Sequence, residues 1–126
     1  LQSYKDTTNM VLVQCTSPFI ELGHLKLSID NLHTFSSSIS VYKETPFYWE
    51  KEDIGAKPNY DPFNKPRTQD MVPRYKETGA FYAFKVNKFL DEGLITPSPT
   101  ALVEVNLKSS FDIDTIEEYE LIKNIT

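Results

Sequence analysis

The periodicity of the apolar residues constrains the fold most strongly, because it changes twice before residue 43. The run Met-Val-Leu-Val-Gln at 10–14 is continuous and rich in β-branched residues, which is typical of a strand buried on both faces. Residues 38–42 alternate polar and apolar side chains and predict a second strand. Between them, residues 21–35 predict a helix whose inward face is made by Leu22, Leu25, Ile29 and Leu32. A strand, a helix and a strand in this order predict a right-handed crossover and a parallel strand pair.

The carboxyl-terminal part continues the alternation of strand and helix patterns. Residues 79–86 predict an aromatic-rich strand opened by a glycine, and residues 101–105 predict another strand. A short helix is predicted at 87–92, ended by Gly93, and a closing helix at 115–123. The inward face of the closing helix is predicted to consist of Ile116, Tyr119 and either Leu121 or Ile122. We therefore predict a single α/β domain over residues 1–126, with a mostly parallel sheet in a partial three-layer arrangement.

Asp112 and Asp114 are separated by one apolar residue, Ile113. On an extended backbone both carboxylates point to one side while Ile113 points into the protein. Carboxylates held this close repel each other, and a divalent cation relieves the repulsion. Thr115 and Glu118 then have the spacing of a helix capping box, so we expect the pair between the end of a strand and the start of a helix. The structural alternative is that Asp112 ends a strand and Asp114 or Thr115 caps the helix.

Charge and composition narrow the class of partner. The 126 residues include 13 basic and 18 acidic side chains, and the net charge of -5 argues against nucleic acid as the main partner. No run of about 18 apolar residues occurs and the start is polar, so we expect no membrane span and no signal peptide. The single cysteine, Cys15, suits a reducing cytoplasm. Residues 1–8 could be the tail of a helix, and a chain that opens on Leu1 is expected to be a piece of a longer protein.

The segment from 45 to 74 lacks helical periodicity and holds five prolines and five aromatic residues. A long segment of this kind within a compact domain is usually a functional arm, a lid or an interface. We predict an arm at 45–66 whose aromatic side chains make a protein–protein contact. The alternative is an aromatic cluster that folds back onto the domain.

Three polar or flexible positions are candidates for ligand binding. Gln14 ends the first strand, where α/β sheets bind ligands, and its amide can both donate and accept. Arg67 can grip a phosphate or a carboxylate bidentately, and Gly79 allows a close approach of the backbone to a ligand. The structural alternatives are a simple turn after the strand for Gln14 and a solvated charge for Arg67. His24 and His33 have no partner at metal-ligand spacing and are expected at the surface.

Five motifs follow one another along the chain. They are Gln-Cys-Thr-Ser-Pro at 14–18, Ser-Ile-Ser-Val at 38–41, Arg-Thr-Gln-Asp at 67–70, Glu-Thr-Gly-Ala-Phe-Tyr at 77–82, and Asp-Ile-Asp-Thr-Ile-Glu-Glu-Tyr at 112–119. In this order they resemble the CMP-acylneuraminate cytidylyltransferase family. The chain departs from the family pattern at Cys15, which replaces a proline, at Ile20, which replaces a basic residue, and at Thr78, which replaces an asparagine. The family's amino-terminal phosphate-binding loop has no counterpart here, so the chain resembles the carboxyl-terminal half to two-thirds of such an enzyme.

The resemblance implies a nucleotide-diphospho-sugar-transferase-like (Rossmann-like) fold and the transfer of CMP from CTP to an acidic, sialic acid-like sugar, with release of pyrophosphate. Asp112 and Asp114 would be the catalytic residues and would hold Mg²⁺. The substrate contacts would come from Gln14, Arg67, Gln69, Thr78, Gly79 and Tyr82, with Arg67 on the carboxylate of the sugar. The arm would form a homodimer. Without the phosphate-binding loop, the chain alone would keep its metal and sugar positions but would not catalyse the transfer. The alternatives are a non-catalytic homodimerising or binding module and a metal-dependent sugar-nucleotide glycosyltransferase.

Overall fold

The computed structural model describes residues 9–125, so the predicted helix tail at 1–8 lies outside the described residues. The chain divides into two compact units: one comprises the described residues up to Tyr42 and from Glu77 onward, and the other is Lys43–Lys76. The strands are β1 (Asn9–Val13), β2 (Ser37–Glu44), β3 (Trp49–Lys51), β4 (Ala56–Pro58), β5 (Arg74–Lys85) and β6 (Thr100–Glu104). The helices are α1 (Leu22–Asp30), α2 (Val86–Glu92) and α3 (Ile116–Ile122), with 3₁₀ turns at Asn31–His33, Thr68–Asp70 and Lys108–Ser110.

Four strands form the main sheet in the order β1, β5, β2, β6. β2 and β6 are parallel, with Ser38 opposite Ala101, whereas β1 and β5 are antiparallel, with Leu12 opposite Tyr82. This mixed α/β architecture with a parallel pair confirms the predicted fold class. The predicted direct pairing of β1 with β2 is wrong, because β5 lies between them. β5 comes from a distant part of the chain, and local periodicity carries no information about such a long-range pairing.

β1 lies at one edge of this sheet, and its burial differs from the prediction. Leu12 and Val13 are 42% and 48% exposed, so the prediction of a strand buried on both faces is wrong. Of the aliphatic residues in β1, Val11 alone packs against the buried core cluster, which consists of Ala80, Phe81, Val103 and Val105. An edge strand has a neighbouring strand on one side only, so a continuous apolar run does not distinguish it from a central strand.

α1 forms where the periodicity predicts it, but its inward face differs from the predicted one. Leu25 packs against the core, and Leu32, in the 3₁₀ turn that follows the helix, is buried as predicted. Leu22 and Ile29, by contrast, are 66% and 41% exposed. The fully buried residue of the helix is Ser28, whose hydroxyl donates to the Leu25 carbonyl at 2.6 Å. That hydrogen bond allows a polar residue to occupy the inward face, which an apolar pattern cannot reveal.

The core of this unit is a cluster of buried side chains from β5, β6 and the residue after β6: Ala80, Phe81, Val103 and Val105. β2 adds Val41 and three serines, Ser37, Ser38 and Ser40, all of which are at most 1% exposed. The Ser37 hydroxyl donates to the Pro97 carbonyl at 2.8 Å, and the Ser38 hydroxyl accepts from the Asn31 side-chain amide at 3.1 Å. Buried hydroxyls cost free energy unless they are hydrogen-bonded, so these bonds make a serine-rich central strand tolerable.

α2 ends at Gly93 and α3 begins after Thr115, as the sequence predicts. Gly93 follows α2 with φ of 72°, a left-handed conformation that favours glycine at a helix end. In α3, Ile122 is buried, but Ile116 and Leu121 are 79% and 71% exposed and Tyr119 is 52% exposed. The predicted inward positions of Ile116 and Tyr119 are therefore wrong: residues six apart lie about 120° apart around a helix, so burial of Ile122 leaves Ile116 in solvent. Among residues 9–125, no helix is long and apolar enough to cross a membrane.

The unit Lys43–Lys76 has its own small hairpin and its own aromatic cluster. β3 and β4 pair antiparallel, joined by a turn in which Gly55 has φ of 80°. Tyr60 meets Phe47 and Trp49 edge-to-face, with ring centroids 5.3 and 6.2 Å apart. The ammonium of Lys65 lies 4.7 Å from the centre of the Phe47 ring, a cation–π contact. Several aromatics of the predicted arm thus pack against one another, while its role as a dimerisation segment stays a prediction.

Candidate metal and substrate site

The acidic pair lies on a short loop between a 3₁₀ turn and α3. Asp112 is half-buried and Asp114 is exposed. The expected position at the start of a helix is confirmed, but the expected position at the end of a strand is wrong, because β6 ends at Glu104 and a 3₁₀ turn intervenes. The backbone N–H of Ile113 donates to the Thr16 carbonyl at 2.9 Å. That bond fixes the loop to the turn that follows β1.

α3 begins with the N-cap that the capping-box spacing predicts, but the Glu118 carboxylate accepts from the Thr115 hydroxyl and not from the Thr115 backbone N–H. Thr115 is the N-cap, and its hydroxyl accepts from the backbone N–H of Glu118 at 3.1 Å. The Thr115 hydroxyl also lies 3.2 Å from Oε1 of Glu118. A capped first turn holds the residues just before it in a defined conformation, and those residues are the acidic pair.

The two carboxyls of the pair interact directly. The charge of Asp112 raises the pKa of Asp114, with further contributions from partial desolvation, from the charge of Glu118 and from a hydrogen bond to Asp112. A raised carboxyl pKa means that ionising both groups is unfavourable in the folded protein. A bound divalent cation would reverse this balance, because it favours two ionised carboxylates. Oxygen ligands from carboxylates are also the type that Mg²⁺ prefers.

The protein provides few further metal ligands near the pair. Among residues 9–125, no group of three or more His, Cys, Asp or Glu side chains is arranged to hold a metal ion. Mg²⁺ commonly keeps several waters and binds through one or two carboxylates plus substrate phosphates. Two aspartates therefore fit a magnesium site that a phosphate-bearing substrate completes. His33 is exposed, as expected, whereas His24 is half-buried, with its Nε2 3.3 Å from Oε2 of Glu21.

β5 carries Gly79 and Tyr82 to the same part of the unit as Asp112. The charge of Asp112 contributes to a pKa of about 12 for Tyr82, after larger effects of a hydrogen bond to Glu77, desolvation and the charge of Glu77. Gly79 has φ of 75°, and a Cβ added to it would lie 3.9 Å from the Tyr82 hydroxyl. Gly79 therefore gives β5 a local irregularity beside the tyrosine, as expected of a glycine within a strand.

Gln14 is joined to this strand through its backbone. Its N–H donates to the Ala80 carbonyl at 2.9 Å, and its carbonyl accepts from the Ser17 N–H at 3.3 Å. The side chain of Gln14 is exposed and has the freedom to contact a ligand. A short series of hydrogen bonds and electrostatic contacts thus links the candidate residues of this unit: Gln14, Gly79, Tyr82 and the acidic pair.

Thr78 has its hydroxyl directed into the protein. Its Oγ1 lies 2.7 Å from Oγ of Ser40, accepts from the Ala80 N–H at 3.2 Å and lies 3.4 Å from the Ser40 carbonyl. A hydroxyl has one donor and two acceptor positions, so at most one position of Thr78 is left for a ligand. Its contact with a substrate stays a prediction.

Arg67 and Gln69 belong to the unit Lys43–Lys76. The Arg67 guanidinium pairs with the Asp70 carboxylate through two hydrogen bonds of 2.9 and 3.4 Å. Both side chains are well exposed, so the pair is worth little to stability and its arginine can exchange Asp70 for another carboxylate. Gln69 lines a cavity of ≈ 370 Å³ in the same unit. The remaining lining residues are Lys43, Glu44, Thr45, Pro46, Thr68, Met71 and Pro73.

Sequence reasoning missed Glu77, whose carboxylate accepts a hydrogen bond from the Tyr82 hydroxyl. The two residues are five apart in a strand, and strand periodicity places residues five apart on opposite faces. The signal that could have revealed the contact is Gly79 between them, since a glycine inside a strand pattern indicates a bulge.

No family model matches the sequence. The sequence is similar to N-acylneuraminate cytidylyltransferases of Streptococcus agalactiae serotype V and serotype III. Each is 27% identical to it in an alignment of 134 positions that covers 94% of this chain. The chain is similar to N-acylneuraminate cytidylyltransferases. This similarity confirms the resemblance that the five motifs predict, and the chain spans 30% of the length of these relatives.

A solved structure shares the fold. The chain superposes on a 4-diphosphocytidyl-2C-methyl-D-erythritol synthase from Anaerococcus prevotii DSM 20548 with a TM-score of 0.61, covering 94% of this chain and 58% of that chain. The two sequences are 14% identical, so this likeness shows the fold alone. It confirms the predicted Rossmann-like α/β fold.

Proposed function

We propose that this chain carries the metal-binding and sugar-binding part of a cytidylyltransferase that transfers CMP from CTP to an acidic, sialic acid-like sugar. The observation that carries the proposal is the pair Asp112 and Asp114, fixed by the hydrogen bond from Ile113 to Thr16 and placed in the electrostatic range of Tyr82. The similarity to N-acylneuraminate cytidylyltransferases supports the same reaction class.

The charge of each candidate residue indicates which part of the substrates it would bind. Asp112 and Asp114 would hold Mg²⁺, which when bound supplies positive charge to the phosphates of CTP. Gln14 and Tyr82 offer neutral hydrogen-bonding groups suited to the hydroxyls and the acyl amide of a sugar. Arg67 offers a planar cation suited to a carboxylate, provided that it leaves Asp70. The two carboxylates suit a metal-bound triphosphate, and the Arg67 guanidinium, in the unit Lys43–Lys76, suits the carboxylate of an acidic sugar.

The experiment that tests this proposal measures binding, because the chain spans a minor part of its relatives. Calorimetric titrations would compare N-acetylneuraminate with its methyl ester, and CTP with UDP-N-acetylglucosamine, all with Mg²⁺ present. We expect the acidic sugar and CTP to bind, and we expect Arg67→Ala to remove the preference for the free acid over the ester. Binding of the UDP-sugar in preference to CTP would indicate the glycosyltransferase alternative and contradict the proposal.

A second candidate function is a homodimerising module without chemistry of its own. The observation that favours it is the exposure of Phe63 and Ile54, which are 98% and 95% exposed within the unit Lys43–Lys76. Apolar side chains exposed to this extent suit a contact with a second copy of the chain. Sedimentation of the wild type and of a Phe63→Ser, Ile54→Ser double variant would test it. This module predicts a dimer that the double variant dissociates, and Mg²⁺ and CTP affinities that Asp112→Ala does not change.

A further inference from the structure

The hydroxyl of Tyr82 donates its proton to a carboxylate of the same strand at the protein surface. Oη of Tyr82 donates to Oε1 of Glu77, and both residues belong to β5. In a regular strand, residues five apart point to opposite faces and lie about 16 Å apart along the chain, too far for their side chains to meet. Gly79, with φ of 75°, lies between them and changes the course of the strand. The contact therefore depends on a backbone conformation that glycine adopts without strain.

The direction of this hydrogen bond determines what Tyr82 can offer to a ligand. A phenol has one O–H donor and acceptor lone pairs on its oxygen, and an ionised carboxylate only accepts. While Glu77 accepts the proton of Tyr82, the tyrosine oxygen can act toward a ligand only as an acceptor. We infer that Glu77 is a positioning residue that holds Tyr82 as a hydrogen-bond acceptor, so that Tyr82 recognises a hydroxyl or N–H group of the sugar. This inference rests on the proposed function for the identity of the ligand.

The charges around Tyr82 favour the same arrangement. Hydrogen bonding to Glu77, desolvation and the charges of Glu77 and Asp112 raise the pKa of Tyr82 to about 12, so the phenol is neutral at physiological pH. A ligand carboxylate placed against the same oxygen would meet two negative charges and no available proton, which is unfavourable. The acidic group of the sugar would then bind elsewhere, and its hydroxyls or amide N–H would face Tyr82.

The first test examines the pair without any ligand. The ¹³C signal of the Tyr82 Cζ, assigned by its loss in Tyr82→Phe, reports the hydrogen bonding of the hydroxyl at pH 7. We expect Glu77→Ala to move this signal toward that of a free phenol and to leave the other tyrosine signals in place. Glu104→Ala, a change of an exposed strand residue in β6, should move none of them. An unchanged Tyr82 signal in Glu77→Ala would overturn the inference.

The second test measures the affinity for N-acetylneuraminate in the presence of Mg²⁺ and CTP. We expect Glu77→Ala and Tyr82→Phe each to weaken binding about tenfold, the factor that about 1.4 kcal/mol represents, and the double variant to bind no more weakly than Tyr82→Phe. If Glu77→Ala weakened binding further in the Tyr82→Phe background, Glu77 would not act through Tyr82. Failure of the wild type to bind the sugar would contradict the proposed function. The ¹³C signal of Tyr82 would still show whether Glu77 accepts its hydrogen bond.

The same titrations distinguish the group that Tyr82 recognises. Two kinds of ligand are compared with N-acetylneuraminate: its mono-deoxy derivatives, each of which lacks one hydroxyl, and its methyl ester, which lacks the free carboxylate. We expect one deoxy derivative to bind more weakly than the parent sugar in the wild type and equally in Tyr82→Phe, which would identify the donor hydroxyl. If Tyr82→Phe instead removed the discrimination between the acid and its methyl ester, Tyr82 would recognise the carboxylate and the inference would be wrong.

Discussion

Replacing Thr78 by valine tests whether its hydroxyl serves the fold or a ligand. Valine has the same shape but removes the 2.7 Å contact with Ser40 and the acceptor that the Ala80 N–H uses at 3.2 Å. Ser40 and Ala80 are 1% and 2% exposed, so water does not readily replace the lost partner. A hydrogen bond contributes about 1 kcal/mol net, and a buried group left unsatisfied costs about 1–3 kcal/mol. We expect Thr78→Val to lower the free energy of unfolding by about 2–3 kcal/mol.

Urea denaturation followed by circular dichroism measures this change through the transition midpoint. Thr78→Ser retains the hydroxyl and should keep most of the stability, which makes it the matched control. Ser40→Ala should be similarly destabilising, and the double variant should show a coupling of about 1 kcal/mol or more, since the two hydroxyls share one hydrogen bond. A loss below about 0.5 kcal/mol in Thr78→Val, or additive effects of the two substitutions, would refute a structural role for this hydroxyl.

Two further predictions concern the loop of the acidic pair. Thr115→Ala should lower the free energy of unfolding by about 1 kcal/mol, because it removes the cap that accepts from the Glu118 N–H, and Thr115→Ser should not; thermal unfolding of the three proteins checks this. Because the folded protein raises the pKa of Asp114, the stability from this group is present at low pH and is lost as the pH rises through that pKa. Asp114→Asn should therefore raise the melting temperature at pH 7 in the absence of Mg²⁺, with the difference vanishing near pH 3. Equal melting temperatures at pH 7 would show that the two carboxylates do not repel each other.

The parts of the fold that follow from local pattern could be predicted from the sequence. Three predicted features depend on residues close together in the chain and are present: α1, the glycine at the end of α2, and the N-cap of α3 at Thr115. The placement of β5 between β1 and β2 could not be predicted, because it is a pairing of distant segments. The inward position of Ser28 was equally hidden, since its burial depends on a hydrogen bond and not on an apolar side chain.

The candidate site shows the same division. Spacing predicted that Asp112 and Asp114 would lie side by side before a helix, and the five motifs in order predicted the similarity to N-acylneuraminate cytidylyltransferases. Glu77 was missed because a strand pattern assumes regular alternation, and the positive φ of Gly79 breaks that alternation. The inward direction of the Thr78 hydroxyl was missed because Ser40, its partner, lies on another strand.

The most direct test of the central claim is a calorimetric titration of the chain with CTP, with and without Mg²⁺, in the wild type and in Asp112→Asn. The claim is that the acidic pair holds the metal that brings the nucleotide to this chain. It predicts that Mg²⁺ strengthens CTP binding to the wild type and that Asp112→Asn weakens this Mg²⁺-dependent binding at least tenfold, whereas the control Glu104→Gln leaves it unchanged. Equal Mg²⁺-dependent affinity in the wild type and in Asp112→Asn would contradict the claim.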